Sequence, residues 1–510
     1  YLASLIGYLK YISSPSKGWG YLIFTFTMFV FSLLSKGQAV TLPLCLLLID
    51  YFKSRQLIKS VIIEKVPFFL LSLIFGVIAI LAQDSSGAML DIEDYSYFER
   101  VLFGSYAFLM YCWKCLFPLN LSAFHPYPVK VEGWYPIAFY FSPFIIVALL
   151  YLFIRFSKRI PEVIFGLSFF CINIFLLLQF IPVGEAMYAE RYTYLANIGL
   201  YFIIGSLIYK ALNKTIIKTT LTVLLVLFVL INIKTSKERI AVWKNSKTLW
   251  GNVLAQYPYV PGAYNNIGDY YMQKDQWGLA IKNYNRSTEL KPDYAEVYYN
   301  KGIAYDKLNK DSKAIENHTQ AIKIKPDYAD AYNNRGLLYL KVKKHDQALA
   351  DFDMAIKIKP DFADYYYNKG LVLYNIKNYK EAIENYNTAI NLKSDYAEAY
   401  NNRGLVYYEL KRFDDAISDY SFAVKLKPDF ASAYNNRGVA HYNLKKFNLC
   451  LEDFNKAIEA DYGFSYAYKN RGITKETRGG SFCEDYKKAC ELGLKECCNY
   501  YLNKCNNKPK

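Results

Sequence analysis

Seven asparagines recur every 34 residues: Asn266, Asn300, Asn334, Asn368, Asn402, Asn436 and Asn470. Each stands two positions before a glycine (Gly268, Gly302, Gly336, Gly370, Gly404, Gly438 and Gly472). A column of primary amides carries both donors and acceptors, so it can hydrogen-bond an extended peptide backbone whatever side chains that backbone bears. The alternative is that the amides bond only the neighbouring helix. The residue between Asn and Gly is basic in six repeats, as Lys301, Arg335, Lys369, Arg403, Arg437 and Arg471. Either the stems pack with their heads in water, or the heads meet an acidic ligand. Two other cations, Lys36 and Arg191, border apolar segments. There they could hold a phosphate through charge-assisted hydrogen bonds, Arg with a bidentate grip. Snorkelling, or pairing of Arg191 with Glu190 or Glu185, is the plainer reading. His125, in a proline-flanked loop, is a loop residue or a group near a substrate.

The elements that must position these groups fall into two halves. The chain has 510 residues and a net charge of +16, too long for one domain. Residues 1–233 hold long apolar runs, whereas 240–510 are polar, rich in Tyr, Asn and Lys, and contain no run able to span a bilayer. The positive charge is scattered, with no arginine-rich block, so no nucleic-acid partner is expected. Candidate spans are 1–10, 20–34, 38–52, 66–82, 135–155, 161–181, 191–209 and 217–233. Segment 98–117 is more amphipathic and reads as interfacial. Three loops are basic (Lys53, Arg55 and Lys59; Arg155, Lys158 and Arg159; Lys210, Lys214 and Lys218), while 83–98 and 182–190 are acidic. If 98–117 does not cross, all basic loops lie inside, and the polar half is placed outside the cytoplasm. The chain opens at Tyr1 within an apolar segment with no charged n-region. That start is expected to lie partway through a membrane helix rather than in a signal peptide.

A fixed period of 34 predicts a stacked-repeat solenoid, because one unit cannot bury its apolar face alone. In the unit Pro261–Lys291, Tyr264, Ile267, Gly268 and Tyr271 share one helix face, Asp275 begins a turn, and Ala280, Tyr284 and Ser287 mark a second helix. Pro292 closes the unit. Ala280, Ala314, Ala348, Ala382 and Ala416 allow the two helices to touch. The pattern resembles the tetratricopeptide repeat, in seven full units. Ser246–Pro258 reads as the second helix of a preceding half-unit, with Trp250 in the aromatic place. Cys483–Cys490 realigns with Leu451–Ile458 after shortening by two residues, and a helix near 494–505 would cap the stack. The resemblance puts the asparagines toward the concave side. There they are similar to the asparagine ladder that holds substrate peptides in O-linked N-acetylglucosamine transferases.

Three stretches of the apolar half carry a second resemblance: Leu33 to Pro43 (LLSKGQAVTLP), Lys114 to Pro128 (KCLFPLNLSAFHPYP) and Ala189 to Leu195 (AERYTYL). In this order, and followed by a repeat stack, they resemble the transmembrane and tetratricopeptide-repeat O-mannosyltransferases and their bacterial relatives, polytopic glycosyltransferases of the C type. The implied fold class is all-α, a polytopic membrane helix bundle followed by a tetratricopeptide-repeat superhelical solenoid. The implied activity is sugar transfer from a polyprenyl-phosphate-linked donor to a protein or peptide acceptor held by the repeats. Lys36 and Arg191 would then bind the donor phosphate, in a bacterial inner membrane with the repeats extracytoplasmic. The family's acidic catalytic loop aligns with nothing in this chain, and Ala196 stands where relatives often have Pro, so no catalytic carboxylate carries over and enzyme status stays open. The alternative is a membrane-anchored repeat scaffold for protein–protein interaction in envelope assembly. The expected organisation is a membrane domain over 1–233 with its first spans missing. A connecting helix and half-repeat follow over 234–260, the solenoid with its cap over 261–505, and a tail over 506–510.

No metal or cofactor is expected. Cys112 and Cys115 form C-x-x-C within an apolar helix and lack the second pair a closed metal site needs. Cys483, Cys490, Cys497, Cys498 and Cys505 cluster at the end. Outside the cytoplasm they could staple the cap with one or two disulfides and leave one thiol free; inside they would stay reduced.

Overall fold

The computed structural model describes residues 1–14, 18–56, 58–85, 95–157, 160–178, 186–189, 193–211 and 215–506. They form two compact units, Tyr1–Ile267 and Gly268–Lys510.

In the first unit, α1 (Leu2–Ser13) and α2 (Gly18–Ser35) pair as a hairpin. A Cβ on Gly7 would lie 2.8 Å from both the Phe24 ring and Thr25 Oγ1, and Ser4 Oγ donates to the Thr25 carbonyl at 2.7 Å. After a 3-10 turn over Gly37–Thr41, α3 (Leu42–Phe52) starts with Pro43 in its first turn, where a missing N–H breaks no bond. The segment expected to span as 38–52 is therefore a turn plus a helix of 11 residues. At ~1.5 Å per residue that helix covers about half of a bilayer core.

A short helix α4 (Lys59–Ile63) leads into α5 (Val66–Ser85). Next, α6 (Tyr97–Leu116) starts at a capping box in which Ser96 and Glu99 satisfy each other's backbone N–H groups. It buries one side, including Leu102, Phe103, Ala107 and Tyr111. Then follow α7 (Ile137–Ser157), α8 (Pro161–Ile174) and α9 (Asn197–Ala211). Helices α8 and α9 meet so closely that a Cβ on Gly166 would sit 2.4 Å from the Gly199 carbonyl oxygen. Helix α10 (Thr215–Val242) runs unbroken through 233, where the membrane half was expected to end, and α11 (Ser246–Gln256) follows at once. The half-repeat helix α11 has an apolar cover. Val253, Val260 and Ala263 pack with Ala123, and Trp250 and Phe124 join the cluster.

Among the described residues, three helical stretches are long and apolar enough to cross a membrane: Gly18–Ser35, Lys59–Gln83 and Ile137–Arg155. Gly37–Phe52, Pro161–Leu177 and Asn197–Lys210 are apolar but shorter. Helices α5 and α7 expose large side chains such as Leu73, Phe144 and Val147, an apolar surface that soluble monomers rarely present. At the far end of α3 lies an ionic cluster that a count of loop charges does not anticipate. Buried Asp50 contacts Lys65 Nζ at 2.6 Å and accepts from Tyr8 OH at 2.8 Å. Arg55 donates to Glu64 at 2.6 Å, and so does Tyr11 OH. Arg55, one of the three charges of the first basic loop, is thus paired within the fold.

The second unit is a run of helix pairs: Ala295–Lys307 with Asp311–Ile324, Ala329–Lys341 with His345–Ile358, Ala363–Asn375 with Tyr379–Leu392, Ala397–Glu409 with Phe413–Leu426, Ala431–Asn443 with Phe447–Ala460, and Ser465–Thr477 with Cys483–Glu491. Trp277–Leu290 precedes them as a second helix. In each pair the first-helix glycine faces a ring. A Cβ there would lie 2.4–2.9 Å from Tyr284, His318, Phe352, Tyr386, Tyr420 or Phe454, in six repeats taken in order. Only hydrogen fits, so each glycine fixes how near the helices come. Ala280, Ala314, Ala348, Ala382 and Ala416 are fully buried on the facing helix, and Cys450 takes that place in the sixth repeat. The residue ending each inter-helix turn is left-handed: φ lies between 55° and 62° at Asp275, Asn309, Lys343, Lys377, Lys411 and Lys445. The stack closes with Lys495–Tyr501. Disulfides Cys483–Cys505 and Cys490–Cys498 tie this cap, and Cys497 is left as a buried free thiol.

Gly370→Ala should cost about 1–3 kcal/mol of array stability, because the Tyr386 ring must move aside. Gly251→Ala in α11, where an added methyl meets open space, should be neutral or stabilise by up to about 1 kcal/mol. Equilibrium unfolding of the two variants beside the parent chain checks both signs.

Candidate functional site

The asparagine column runs along the first helices, and the structure gives most of its amides a partner. Five of the Nδ2 groups donate one repeat back to a side chain of the previous first helix: Asn334 to Tyr299 OH (3.1 Å), Asn368 to Asn333 Oδ1 (2.8 Å), Asn402 to Tyr367 OH (2.9 Å), Asn436 to Asn401 Oδ1 (3.0 Å) and Asn470 to Asn435 Oδ1 (2.9 Å). Asn300 donates to Asp269 at 3.2 Å, and Asn266 to the Gly262 carbonyl of its own helix at 2.7 Å. Asn333 and Asn401 in turn donate to the Oδ1 of Asn334 and Asn402. No donor among the described residues reaches Oδ1 of Asn368, Asn436 or Asn470. The column is first an inter-repeat seam, and what it still offers at those three positions is acceptors.

The arginines are also committed. Arg335 places Nε and Nη2 on Asp351 at 2.8 and 2.7 Å, and Nη1 on Thr319 of the preceding repeat at 3.0 Å. Arg403 does the same to Asp419 (2.8 and 2.6 Å) and Asn387, Arg437 to Asp453 and Ser421, and Arg471 to Asp485 and Asn455. The guanidinium of Arg335 also lies between the Tyr332 and Tyr339 rings. Neither expectation for this column fits the arginines: their heads are not in water, and a carboxylate of the same repeat takes the place of an acidic ligand. Lys369 pairs with Asp353 at 2.6 Å. A signal for this stands in the sequence. Arg precedes the glycine wherever Asp stands sixteen residues on (fourteen in the shortened last repeat), and Lys or Ile does so wherever Asn stands there (Asn283, Asn317, Asn385).

With Asn and Arg engaged, the first helices still present a third column. Ile303, Leu337, Leu371, Leu405, Val439 and Ile473, one residue after each of the last six glycines, are half-buried or exposed. They lie three residues, about one helical turn, beyond the asparagines.

In the first unit, the first of the three stretches singled out by resemblance touches the third, and the second pairs with the residues just before the third. His125–Pro126 pairs antiparallel with Ala186–Tyr188. His125 stacks on Tyr188 at 4.0 Å and its Nδ1 lies 2.7 Å from Tyr257 OH. Ala189 N–H donates to Tyr111 OH at 3.1 Å. Lys36 Nζ sits over the Tyr194 ring at 4.9 Å, so the first stretch touches the third. Arg191, Glu190 and Glu185 lie outside the described residues. Cys112 and Cys115 are unpaired by disulfide and packed within α6, and no cluster of metal-ligating side chains occurs among the described residues.

Family comparison agrees with the repeat geometry. The TPR repeat matches residues 268–309, 307–343, 374–411 and 404–445, and the tetratricopeptide repeat matches 329–362 and 431–461. The second unit is a tetratricopeptide-repeat array, an all-α architecture suited to protein–protein interaction. No curated protein matches the chain. Among solved structures the chain is similar to YrrB, described as a TPR protein with an unusual peptide-binding site. That pair has 22% identity over 36% of this chain and 96% of that one, with a TM-score of 0.32. It is also similar to MamA (25% identity, 32% and 94% covered, TM-score 0.30). A third likeness is to a tetratricopeptide repeat protein from Parabacteroides merdae (17% identity, 48% and 97% covered, TM-score 0.41).

One repeat departs from its neighbours in chemistry. His318 takes the ring position of the second repeat, is 1% exposed, and has no hydrogen-bond partner at Nδ1. Burial, and then the Arg335 charge, push its pKa down to about 4. The unfolded chain, with an ordinary imidazole near 6.5, binds one more proton between those values. Stability from this residue is therefore present above about pH 6.5 and lost as pH falls toward about 4, by up to about 3 kcal/mol. His318→Phe, which copies Phe352, should flatten the acid dependence over that window. Thermal unfolding of parent and variant at pH 7 and pH 4.5 measures it, and an unchanged pH gap would show the histidine is not the cause.

Proposed function

We propose that the array binds an extended protein or peptide segment along its first helices. The helical unit before it is then seated in a membrane through its exposed apolar helices. The observation that carries this is the in-register aliphatic column from Ile303 to Ile473, flanked by the unclaimed amide oxygens of Asn368, Asn436 and Asn470. Apolar side chains of a ligand would sit on the aliphatic column, and its backbone N–H groups would meet those oxygens. This is a narrower role for the asparagines than a full ladder, since their Nδ2 atoms already serve the fold. The two disulfides of the cap support an oxidising compartment for the array, as does the distribution of loop charge.

Peptides selected from a random library against the full chain in detergent test the reading. Leu337→Glu with Leu371→Glu and Leu405→Glu should weaken the selected peptides at least tenfold, while Met354→Glu on a second helix should not. Equal losses from both would place binding elsewhere.

A second reading rests on two contacts, Lys36 over the Tyr194 ring and His125 stacked on Tyr188. In it the first unit holds a polyprenyl-phosphate-linked sugar, with the phosphate near Lys36 and Arg191, and the array presents the acceptor to a glycosyl transfer. Lys36→Ala should then weaken binding of undecaprenyl phosphate roughly tenfold, the size of one charge-assisted hydrogen bond. Native mass spectrometry reads this, and phosphate-independent binding of the lipid would leave the scaffold reading alone.

A further inference from the structure

Three successive repeats carry a pair of rings that the binding of a generic extended peptide does not use. Three residues beyond the aliphatic column, at the ends of their first helices, stand Tyr374, Tyr408 and Tyr442. Across the turn, five residues further on, the second helices begin with Tyr379, Phe413 and Phe447. The two rings of each repeat meet: Tyr374 with Tyr379 at 6.1 Å and 44°, Tyr408 with Phe413 at 5.4 Å and 62°, and Tyr442 with Phe447 at 5.7 Å and 69°. All six side chains are half-buried. The repeat itself does not require them. The same two places hold Asp306 and Asp311 in the second repeat and Leu340 and His345 in the third, and those repeats form the same helix pairs.

The hydroxyls of this row suit a ligand with bare carbonyls. Tyr374 OH makes no hydrogen bond among the described residues. Tyr408 OH accepts from Asn443 Nδ2 of the next repeat at 3.0 Å, which leaves its own proton to donate. A peptide in the polyproline II form has no internal hydrogen bonds, so its carbonyls are open to such donors. Charges of both signs border the rings, with Lys377, Lys411 and Lys445 in the turns and Glu409 beside Tyr408. That mixture matches a ligand without net charge.

Spacing decides the conformation of the ligand. Hydrogen bonds from Asn402 to Tyr367 and from Asn443 to Tyr408 join adjacent first helices directly, and helices in direct contact lie about 8–10 Å apart. A polyproline II segment has three residues per turn and rises ~3.1 Å per residue, so one face recurs every ~9.3 Å, in step with the repeats. A β-extended segment presents one face every ~6.8 Å and falls out of step within a repeat or two. The tilt within each ring pair makes a corner, one ring's face beside another's edge, in which a pyrrolidine can touch both.

We propose that repeats four to six select a proline-rich segment in the polyproline II form, one turn per repeat, with a proline in each ring corner. This rests on the array binding a peptide along its first helices, and it names the peptide. Residues between the prolines keep N–H groups for the amide oxygens of Asn368 and Asn436. Such a segment is ordered before it binds, which is why aromatic-lined grooves receive it at little cost in entropy.

The probe is a fluorescently labelled peptide repeating Pro-Pro-Ala over roughly four polyproline turns. It is titrated into the full chain in neutral detergent, beside a Ser-Gly-Ala peptide of equal length. The proline peptide should bind at least tenfold more tightly. Tyr374→Leu with Tyr408→Leu and Tyr442→Leu should weaken it at least tenfold. Tyr408 and Tyr442 also join neighbouring repeats, so Tyr374→Leu alone keeps the test independent of the seam. That single change should weaken the peptide about threefold to tenfold, the worth of one aromatic contact. Tyr462→Leu, an exposed tyrosine beyond the second helix of the sixth repeat, should bind as the parent does. Equal affinity for the two peptides would overturn the proline ligand, as would undiminished binding by the Tyr374 variant. The groove and its preference fail separately. Library peptides that lack proline yet are weakened by Leu337→Glu with Leu371→Glu and Leu405→Glu would keep the groove and remove the preference, whereas peptides insensitive to those changes would remove the groove itself. Binding of maltohexaose in place of Pro-Pro-Ala, lost in the Tyr374 variant, would overturn the peptide in favour of a glycan.

Discussion

The separation of the two helices in every repeat is set by a ring lying against bare backbone. A glycine Cα hydrogen is all that stands between the first helix and Tyr284, Phe352, Tyr386, Tyr420 or Phe454, and the buried alanines of the second helix keep the remaining approach equally close. Because the spacing is fixed by atoms in van der Waals contact, the polar groups one residue away are fixed with it. The arginine that stands beside four of the glycines can then span from the aspartate of its own second helix to the preceding repeat, and the asparagine can reach back one helix. Precision in the seam follows from closeness in the core.

Much of this was legible in the chain and some was not, for a physical reason that differs by residue. Periodicity exposes whatever every repeat needs alike, so the glycines, the alanines and the helix pairs could be read directly. It hides what varies in step. Arg403 and Asp419 are sixteen residues apart and look like two ordinary surface charges until helix pairing brings them within 2.6 Å. The asparagine column left two readings open, because regularity suits a ligand and a seam alike; the structure shows that the seam takes most of the Nδ2 donors. His318 was visible only as a polar residue in an aromatic column, and its burial depends on Gly302 opposite.

The first unit was legible in its apolar helices and less so in its polar ones. Hydropathy finds a run such as Ile137–Arg155 because length and composition suffice. It overestimates 38–52, where Gly37 and Pro43 break the segment into a turn and a short helix. Counting loop charge treats Arg55 as free, although Glu64, nine residues away, lies beside it once α3 and α5 pack. The approach of Lys36 to Tyr194 joins segments about 160 residues apart, which no local pattern in either segment encodes.

The seam bonds all point the same way. Asn334, Asn368, Asn402, Asn436 and Asn470 each donate toward the previous repeat, and so does the Nη1 of Arg335, Arg403, Arg437 and Arg471. The stack therefore has a polarity like that of a growing filament. Cutting it after any repeat leaves behind acceptors and hydroxyls that water satisfies readily. Cutting before a repeat strands its amide and guanidinium donors without their partners. Gene duplication at the carboxyl end, followed by the same disulfide-tied cap, could thus lengthen the array one repeat at a time without rebuilding what precedes it.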